Sequence, residues 1–318
     1  MKKKITRRNF IGKTALVTAG AGLGISNELF SKTSKPLGDE LNIHVFSKHL
    51  QFLNYNELAQ AAAEIGFQGV DLSVRPKGHV LPQNVAQDLP LAVQSLKKVG
   101  FDPVMMTSGI TDVDDVHTRN VLKIAADQGI RFYRLGYYHW TENGSILEDL
   151  RLIKRKVEEL AKLNELYRIK GAFQNHAGSF VGASIYEVHN LLEGLDNKFM
   201  GCQYDIRHAS VEGAQAWPTQ LRLIAPKINT IVIKDYKWSR EGNQWKLMNV
   251  PIGEGMVNFH EYFKMLKKHK INVPVSMHFE YDLGGAEHGM TKINIDQKEV
   301  FKAMRRDLKK VQDLWKMA

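Results

Sequence analysis

Residues 200–208 read MGCQYDIRH, a mostly apolar run that ends in an acid, a base and an imidazole. Strand side chains alternate between faces, so a strand over 200–206 puts Gln203 and Asp205 on one side. Polar residues at the end of an apolar strand need a reason, and the pattern occurs three more times. Residues 168–176 (RIKGAFQNH) finish with Gln174, Asn175 and His176. Residues 229–235 (NTIVIKD) finish with Lys234 and Asp235, followed by Tyr236. Residues 273–281 (VPVSMHFEY) finish with His278, Phe279, Glu280 and Tyr281. By the same alternation Gln174 shares a face with His176, and His278 with Glu280.

Further out, strand-like runs lie at 42–47 (NIHVFS), 69–74 (GVDLSV), 102–107 (DPVMMT) and 131–136 (RFYRLG). Between all of these runs fall segments of helical period, among them NELAQAAAEIGF, HTRNVLKIAADQGI and LEDLRLIKRKVEELAKLNELY, with a closing helix over roughly 296–316. Gly66, Gly100 and Gly129 stand where helices should stop. Strand and helix segments alternate without a Pro- or Ser-rich linker over about 275 residues, which predicts an α/β chain with one (β/α)8 TIM barrel over 37–318. In that fold function sits at the C-terminal ends of the strands. The second half of the chain supplies most of the polar ends; the first half offers His44, Arg75, Lys77, His79, Arg134 and His139.

Composition narrows the function. The chain has 318 residues, 43% hydrophobic and 25% charged, which excludes a disordered tail protein and a disulfide-stapled miniature. One cysteine, Cys202, excludes an intramolecular disulfide and a cysteine zinc site. The formal charge is +10, but Lys2, Lys3, Lys4, Arg7, Arg8 and Lys13 supply +6 of it in the first 26 residues, which hold no acid. The remainder is too weakly basic to indicate a nucleic-acid partner. Residues 1–36 read as a twin-arginine-type export signal and a short linker. Thr6-Arg7-Arg8-Asn9-Phe10-Ile11 precedes an uncharged stretch, Thr14 to Ile25, too short and too rich in Gly and Ala for a stable membrane span. The expected location is the periplasm or beyond. Gly20, Gly22 and Gly24 fall in this segment with no strand before them, so they are not a dinucleotide loop.

Four neighbouring strand ends that bring together an amide, imidazoles and carboxylates, with no thiolate, suit a hard or borderline divalent cation: Mn, Zn, Mg, Fe or Co. Such an ion would polarise a carbonyl and acidify the adjacent C–H. A carboxylate or imidazole beside it would move the proton. Trp140, Trp217, Tyr236 and Trp238 are candidates for stacking on a sugar face or for a contact between subunits, so an oligomer is compatible with the sequence.

The chain also resembles the xylose isomerase-like TIM-barrel family of sugar (phosphate) isomerases and epimerases from about residue 41 to the end. The likeness is carried by ELAQAAAEIGFQGVDLSVRPKGHV, QNHAG, YDIRHASVEG, IKD, PIGEG and SMHFEY in that order. It implies a divalent metal held by Glu, Asp, His and Glu from strands five to eight, with the two Glu residues as acid and base. Asp205 and Glu280 match the ligands of strands six and eight, and His208 matches a substrate-contacting histidine. Gln174 stands where the family has Glu, and Val232 where it has His. The expected metal ligands are therefore Asp205 and Glu280, with His176 and His278 as replacements. The expected catalytic residues are Glu280, His208, Lys234 and His176, with Lys234 a cation near a developing oxyanion. Arg207, Gln174, Trp238 and His79 are the expected substrate contacts. The implied activity is metal-dependent proton abstraction beside a sugar carbonyl, giving isomerisation or epimerisation of a small carbohydrate. Loss of one Glu base points alternatively to a 3-keto-glycoside lyase or hydratase, and a non-catalytic sugar-binding barrel is the third alternative.

Overall fold

The computed structural model describes residues 40–318, so the export signal expected over 1–36 lies outside the described residues. Eight parallel strands close a barrel: β1 (Ile43–Phe46), β2 (Gly69–Val74), β3 (Met105–Ser108), β4 (Phe132–Arg134), β5 (Lys170–Gln174), β6 (Met200–Asp205), β7 (Ile228–Ile233) and, last in the chain, β10 (Val275–Met277). They follow one another around the wall in chain order, and β10 closes on β1 through Ile43 opposite Val275. This is the TIM barrel that the alternation predicts.

The helices between the strands are amphipathic. In α1 (Tyr55–Ile65) the Asn54 side chain caps the backbone N–H of Glu57 while Glu57 caps that of Asn54, so the helix starts there. It stops at Gly66, whose φ of 108° is left-handed. The closing helix α9 (Gln297–Met317) buries Val300, Met304, Leu308, Val311 and Trp315, one stripe at helical spacing, against the barrel. Among the described residues no helix is long and apolar enough to cross a membrane.

Two departures from the sequence reading affect the mouth of the barrel. First, two helices separate β6 from β7: α6 (Ile206–Gly213) begins directly at Asp205, and α7 (Trp217–Ile224) follows. The Asp205 carboxylate accepts the His208 N–H at 3.2 Å, so the acid that ends the strand also starts the helix. Second, the chain after β7 turns into an antiparallel hairpin, β8 (Asp235–Glu241) and β9 (Gln244–Val250), in place of a simple loop.

Below the mouth lies a polar layer inside the barrel. Asp71 Oδ2 accepts hydrogen bonds from Thr107 Oγ1 at 3.0 Å and from Ser276 Oγ at 2.6 Å, joining strands β2, β3 and β10. Burial pushes the Asp71 carboxyl up to about 6, against the pull of these two donors.

Candidate active site

The centre of the mouth is Lys234, just beyond the end of β7. Its Nζ lies 3.1 Å from Glu280 Oε2 and 3.3 Å from Asp205 Oδ2, and its side chain is only 3% exposed. Register explains the arrangement. Asp205 pairs with Val232, and Val232 with Ser276, so valine fills the inward position between the sixth and eighth strands. The next inward position on the same strand is Lys234. Its long side chain places a positive charge between the two carboxylates. Burial alone would lower the lysine pKa, but Asp205 and Glu280 hold it above its ordinary value, so it is an ammonium ion.

The two acids respond differently. Burial raises the Asp205 carboxyl pKa, and Lys234 only partly offsets this. Glu280 is also subject to burial, yet Lys234, the nearby His278 and Lys48 hold it well below the usual carboxylate range. Its side chain is 23% exposed, so the ionised carboxylate can be reached from the mouth. Its Oε1 lies 3.5 Å from His278 Nδ1 and 4.0 Å from Lys48 Nζ.

Gln174 is fully engaged. Its Nε2 donates to Asp205 Oδ2 at 3.0 Å, while its Oε1 accepts from Arg134 at 3.0 Å and from Tyr137 Oη at 3.1 Å. The Arg134 guanidinium also sits 4.4 Å over the Tyr137 ring. The His176 and His208 rings lie 4.0 Å apart. Arg207 donates to His208 Nδ1 at 2.9 Å and to Asn249 Oδ1 at 2.8 Å. That leaves the His208 proton on Nε2, 3.5 Å from Asp205 Oδ2. Burial, reinforced by Lys234, keeps all three imidazoles neutral. His176 is lowered to about 4, His278 to about 3, and His208 well below its ordinary value.

The structure therefore gathers Glu280, Lys234, Asp205, Gln174, His176, His208, Arg207 and His278 at one mouth. It does not bring in His79 or Trp238. The His79 ring bonds the Leu53 carbonyl at 3.3 Å and packs beside Tyr55. Trp238 stands 42% exposed on the hairpin, because β8 leaves the barrel wall. Four residues of the mouth were missed as site residues: Arg134, Tyr137, Lys48 and Asn249. Arg134 ends a strand and had a signal. Asn249 reaches the site only because the hairpin folds back, where its Nδ2 donates to the Glu280 carbonyl at 3.3 Å.

Residues 59–303 match the model of the family described as Xylose isomerase-like TIM barrel. The chain belongs to that family. Among solved structures it is similar to a 3-keto-D-glucoside 4-epimerase from E. coli, at 13% identity and a TM-score of 0.64, covering 86% of this chain and 100% of that one. A probable 3-DHS dehydratase from Bacillus anthracis matches at 16% identity and a TM-score of 0.60, covering 85% and 99%. A Xylose isomerase-like TIM barrel protein from Mycobacterium smegmatis in complex with magnesium matches at 10% identity and a TM-score of 0.62, covering 87% and 98%. No curated protein matches the chain.

A metal is thus found with one Xylose isomerase-like barrel, but the donors of this chain do not fit one. Among the described residues no three His, Cys, Asp or Glu side chains are grouped so as to hold a metal ion. The expected set of Asp205, Glu280, His176 and His278 lines the mouth but is not grouped to share one ion. His176 pairs with His208, and His278 stacks on Phe46 with ring centroids 4.6 Å apart. Gln174 turns its amide N–H, not its oxygen, towards Asp205. Between the two carboxylates stands an ammonium group.

Proposed function

We propose that this barrel is an enzyme that removes a proton next to a sugar carbonyl, with Glu280 as base and the Lys234 ammonium as the cation that faces the developing oxyanion. The observation that carries this reading is the placement of Lys234 Nζ at 3.1 Å from Glu280 and 3.3 Å from Asp205. An ammonium group has three N–H donors; one donates to Glu280 at 3.1 Å, and Asp205 is an ion-pair neighbour at 3.3 Å. That leaves a donor for a substrate oxygen. A carbonyl oxygen bound there would gain charge as Glu280 takes the α-proton, and a buried fixed cation stabilises that charge strongly. The C–H bond breaks, its electron pair forms the enolate, and the proton resides on Glu280. The hydroxyl proton of the neighbouring carbon then passes to the enolate oxygen, and return of the Glu280 proton to the former carbonyl carbon completes a 1,2-isomerisation with one base on one face. As the substrate oxygen draws on Lys234, Glu280 loses part of the interaction that holds its pKa down and becomes a stronger base.

This reading places no metal in the reaction. It also assigns the histidines a different part from the acids the sequence suggested: neutral imidazoles at His176, His208 and His278 accept or orient and do not supply a proton at neutral pH. Gln174 cannot change protonation, so epimerisation by carboxylates on both faces lacks its second group. The same observation favours one further reading, in which the enolate expels a β-substituent and the enzyme is a lyase of keto-glycosides. Kinship in fold with a 3-keto-D-glucoside epimerase and a probable dehydratase supports either outcome. We further propose that Arg7 and Arg8 direct export of the barrel.

The test is incubation with D-fructose, D-glucose and a 3-keto-glucoside in deuterated water, followed by NMR. Deuterium uptake next to the carbonyl that disappears in Glu280→Gln supports the reading, and aglycone release assigns the lyase. A Glu280→Gln protein that exchanges as fast as the native one would overturn it, as would sugar binding by the native protein without any exchange. The latter result would make the barrel a sugar-binding protein.

A further inference from the structure

Beside Glu280 the mouth opens into a cleft of about 740 Å³ between the turn after β2 and the segment that follows β10. Its walls carry Lys48, Arg75, Lys77 and Lys292, with His288 at the edge, and none of its lining residues is an acid. The one carboxylate near His288 is Glu287 at 3.4 Å, which also holds the N–H groups of Leu283 and Gly285 at 2.9 Å. Among the described residues no carboxylate lies within 4.0 Å of the Arg75 guanidinium, which is set 5.3 Å over the Phe46 ring. Among the described residues the one carboxylate within 4.0 Å of Lys48 is Glu280, and burial together with Lys234, Arg75 and Arg134 lowers the lysine's pKa.

The cleft is built in advance of any ligand. Both walls are pinned to the same turn, Ser47–Leu50, and to Gln51 after it. Gln51 Nε2 donates to the Lys77 carbonyl at 2.5 Å, fixing a residue whose own φ is +59°. On the other wall Gly289, at φ +74°, lies so close that a Cβ there would meet Lys48 Cγ at 2.9 Å. Four basic side chains line the cleft against one carboxylate, Glu280 beside Lys48, so its field favours an anion. Lys48 lines this cleft and lies 4.0 Å from Glu280, the carboxylate read above as the base.

We propose that the cleft binds an anionic group carried by the substrate, which makes the substrate an acidic carbohydrate bearing a carboxylate or a phosphate. This rests on the reading of the mouth as a sugar site but not on the reaction assigned to it. Arg75 offers a planar pair of N–H donors that suits either anion, with Lys48 and Lys292 as point charges.

The experiment is calorimetric titration of the full chain with D-glucuronate, D-glucose 6-phosphate and D-glucose at low salt, repeated with the double variant Arg75→Gln, Lys292→Gln. At least one anionic sugar should bind about tenfold or more tightly than glucose, and the preference should vanish in the double variant and fade at about 0.5 M NaCl. Preference for glucuronate assigns a carboxylate, and preference for glucose 6-phosphate assigns a phosphate. Glucose binding as tightly as both, no binding by any of the three, or an anionic preference that survives in the double variant would overturn the proposal. Failure of the proton-abstraction reading would appear as absent deuterium exchange while this preference persists.

Discussion

Two polar layers cross the barrel, and they are wired in opposite ways. The lower one is sealed: Asp71 is fully buried and takes the hydroxyls of Thr107 and Ser276 on Oδ2, with Oδ1 unpartnered, while Ser47 and Ser73 bond each other at 3.1 Å. The upper one is open: Glu280 is partly exposed, and Lys234 donates to it while keeping N–H groups to spare. The lower layer ties three strands together through Asp71 Oδ2, out of reach of any ligand. The upper layer holds charge that a ligand can engage. Polarity at a strand end is therefore not itself evidence of a site; a fixed charge within reach of a ligand is.

The largest expected effect separates the layers by activity. Glu280→Gln should lower turnover about 10²- to 10⁴-fold, the usual contribution of a general base, with little change in melting temperature. Lys234→Met should lose as much activity and also destabilise the fold by about 3–5 kcal/mol, because it leaves two carboxylates without their buried cation. Lys234→Arg should retain most of the stability, which separates loss of charge from loss of fold. Native turnover in a folded Lys234→Met protein would erase the distinction between the layers.

A smaller effect is expected below. Asp71→Ala should cost about 1–3 kcal/mol by leaving two buried hydroxyls without their acceptor, with activity per folded molecule unchanged. The carboxyl is raised from 3.8 to about 6, so its contribution is complete below pH 3.8 and is lost as pH rises through 6. Asp71→Asn, which mimics the protonated acid, should therefore compare better with the native protein at pH 8 than at pH 4 in urea melts.

The next effect is confined to acid. His44 on β1 is 1% exposed, neither ring nitrogen has a hydrogen-bond partner, and burial with nearby Arg131 lowers it to about 4. Its folded pKa lies below its unfolded value of 6.5, so it contributes stability above pH 6.5 that disappears as pH falls towards 4. Thermal melts of His44→Leu should show a flatter fall between those values. An unchanged acid limb would remove His44 from the account.

The smallest effect concerns the hairpin. Trp238→Ala should change melting by no more than about 0.5 kcal/mol, as for other exposed positions. A large loss of sugar affinity in that variant would restore the tryptophan to the site.

The barrel was legible because its signals are local and repeated: eight apolar runs, helical stripes between them, and glycines at helix ends. The polar strand ends were legible for the same reason, and they put Asp205, Lys234 and Glu280 at one mouth. Their pairing was not. Sequence order shows that Val232 replaces a histidine, but only the register shows that Lys234, two residues on, reaches both carboxylates. Lys48 and Asn249 arrive through a short turn and a hairpin, whose paths no periodicity records. Trp238 and His79 were misplaced because a residue near a strand end points into the mouth only if the chain stays on the wall.

The central claim is that Lys234 provides the positive charge between Asp205 and Glu280, and metal content tests it most directly. The protein should be purified without added metal, dialysed against Mn²⁺, Mg²⁺ and Zn²⁺ in turn, and analysed for elements. The account predicts well under one ion per chain in every case, the same content in Asp205→Ala and Glu280→Ala, and deuterium exchange into sugar that survives a chelator. One divalent ion per native chain, lost in either variant, would contradict it.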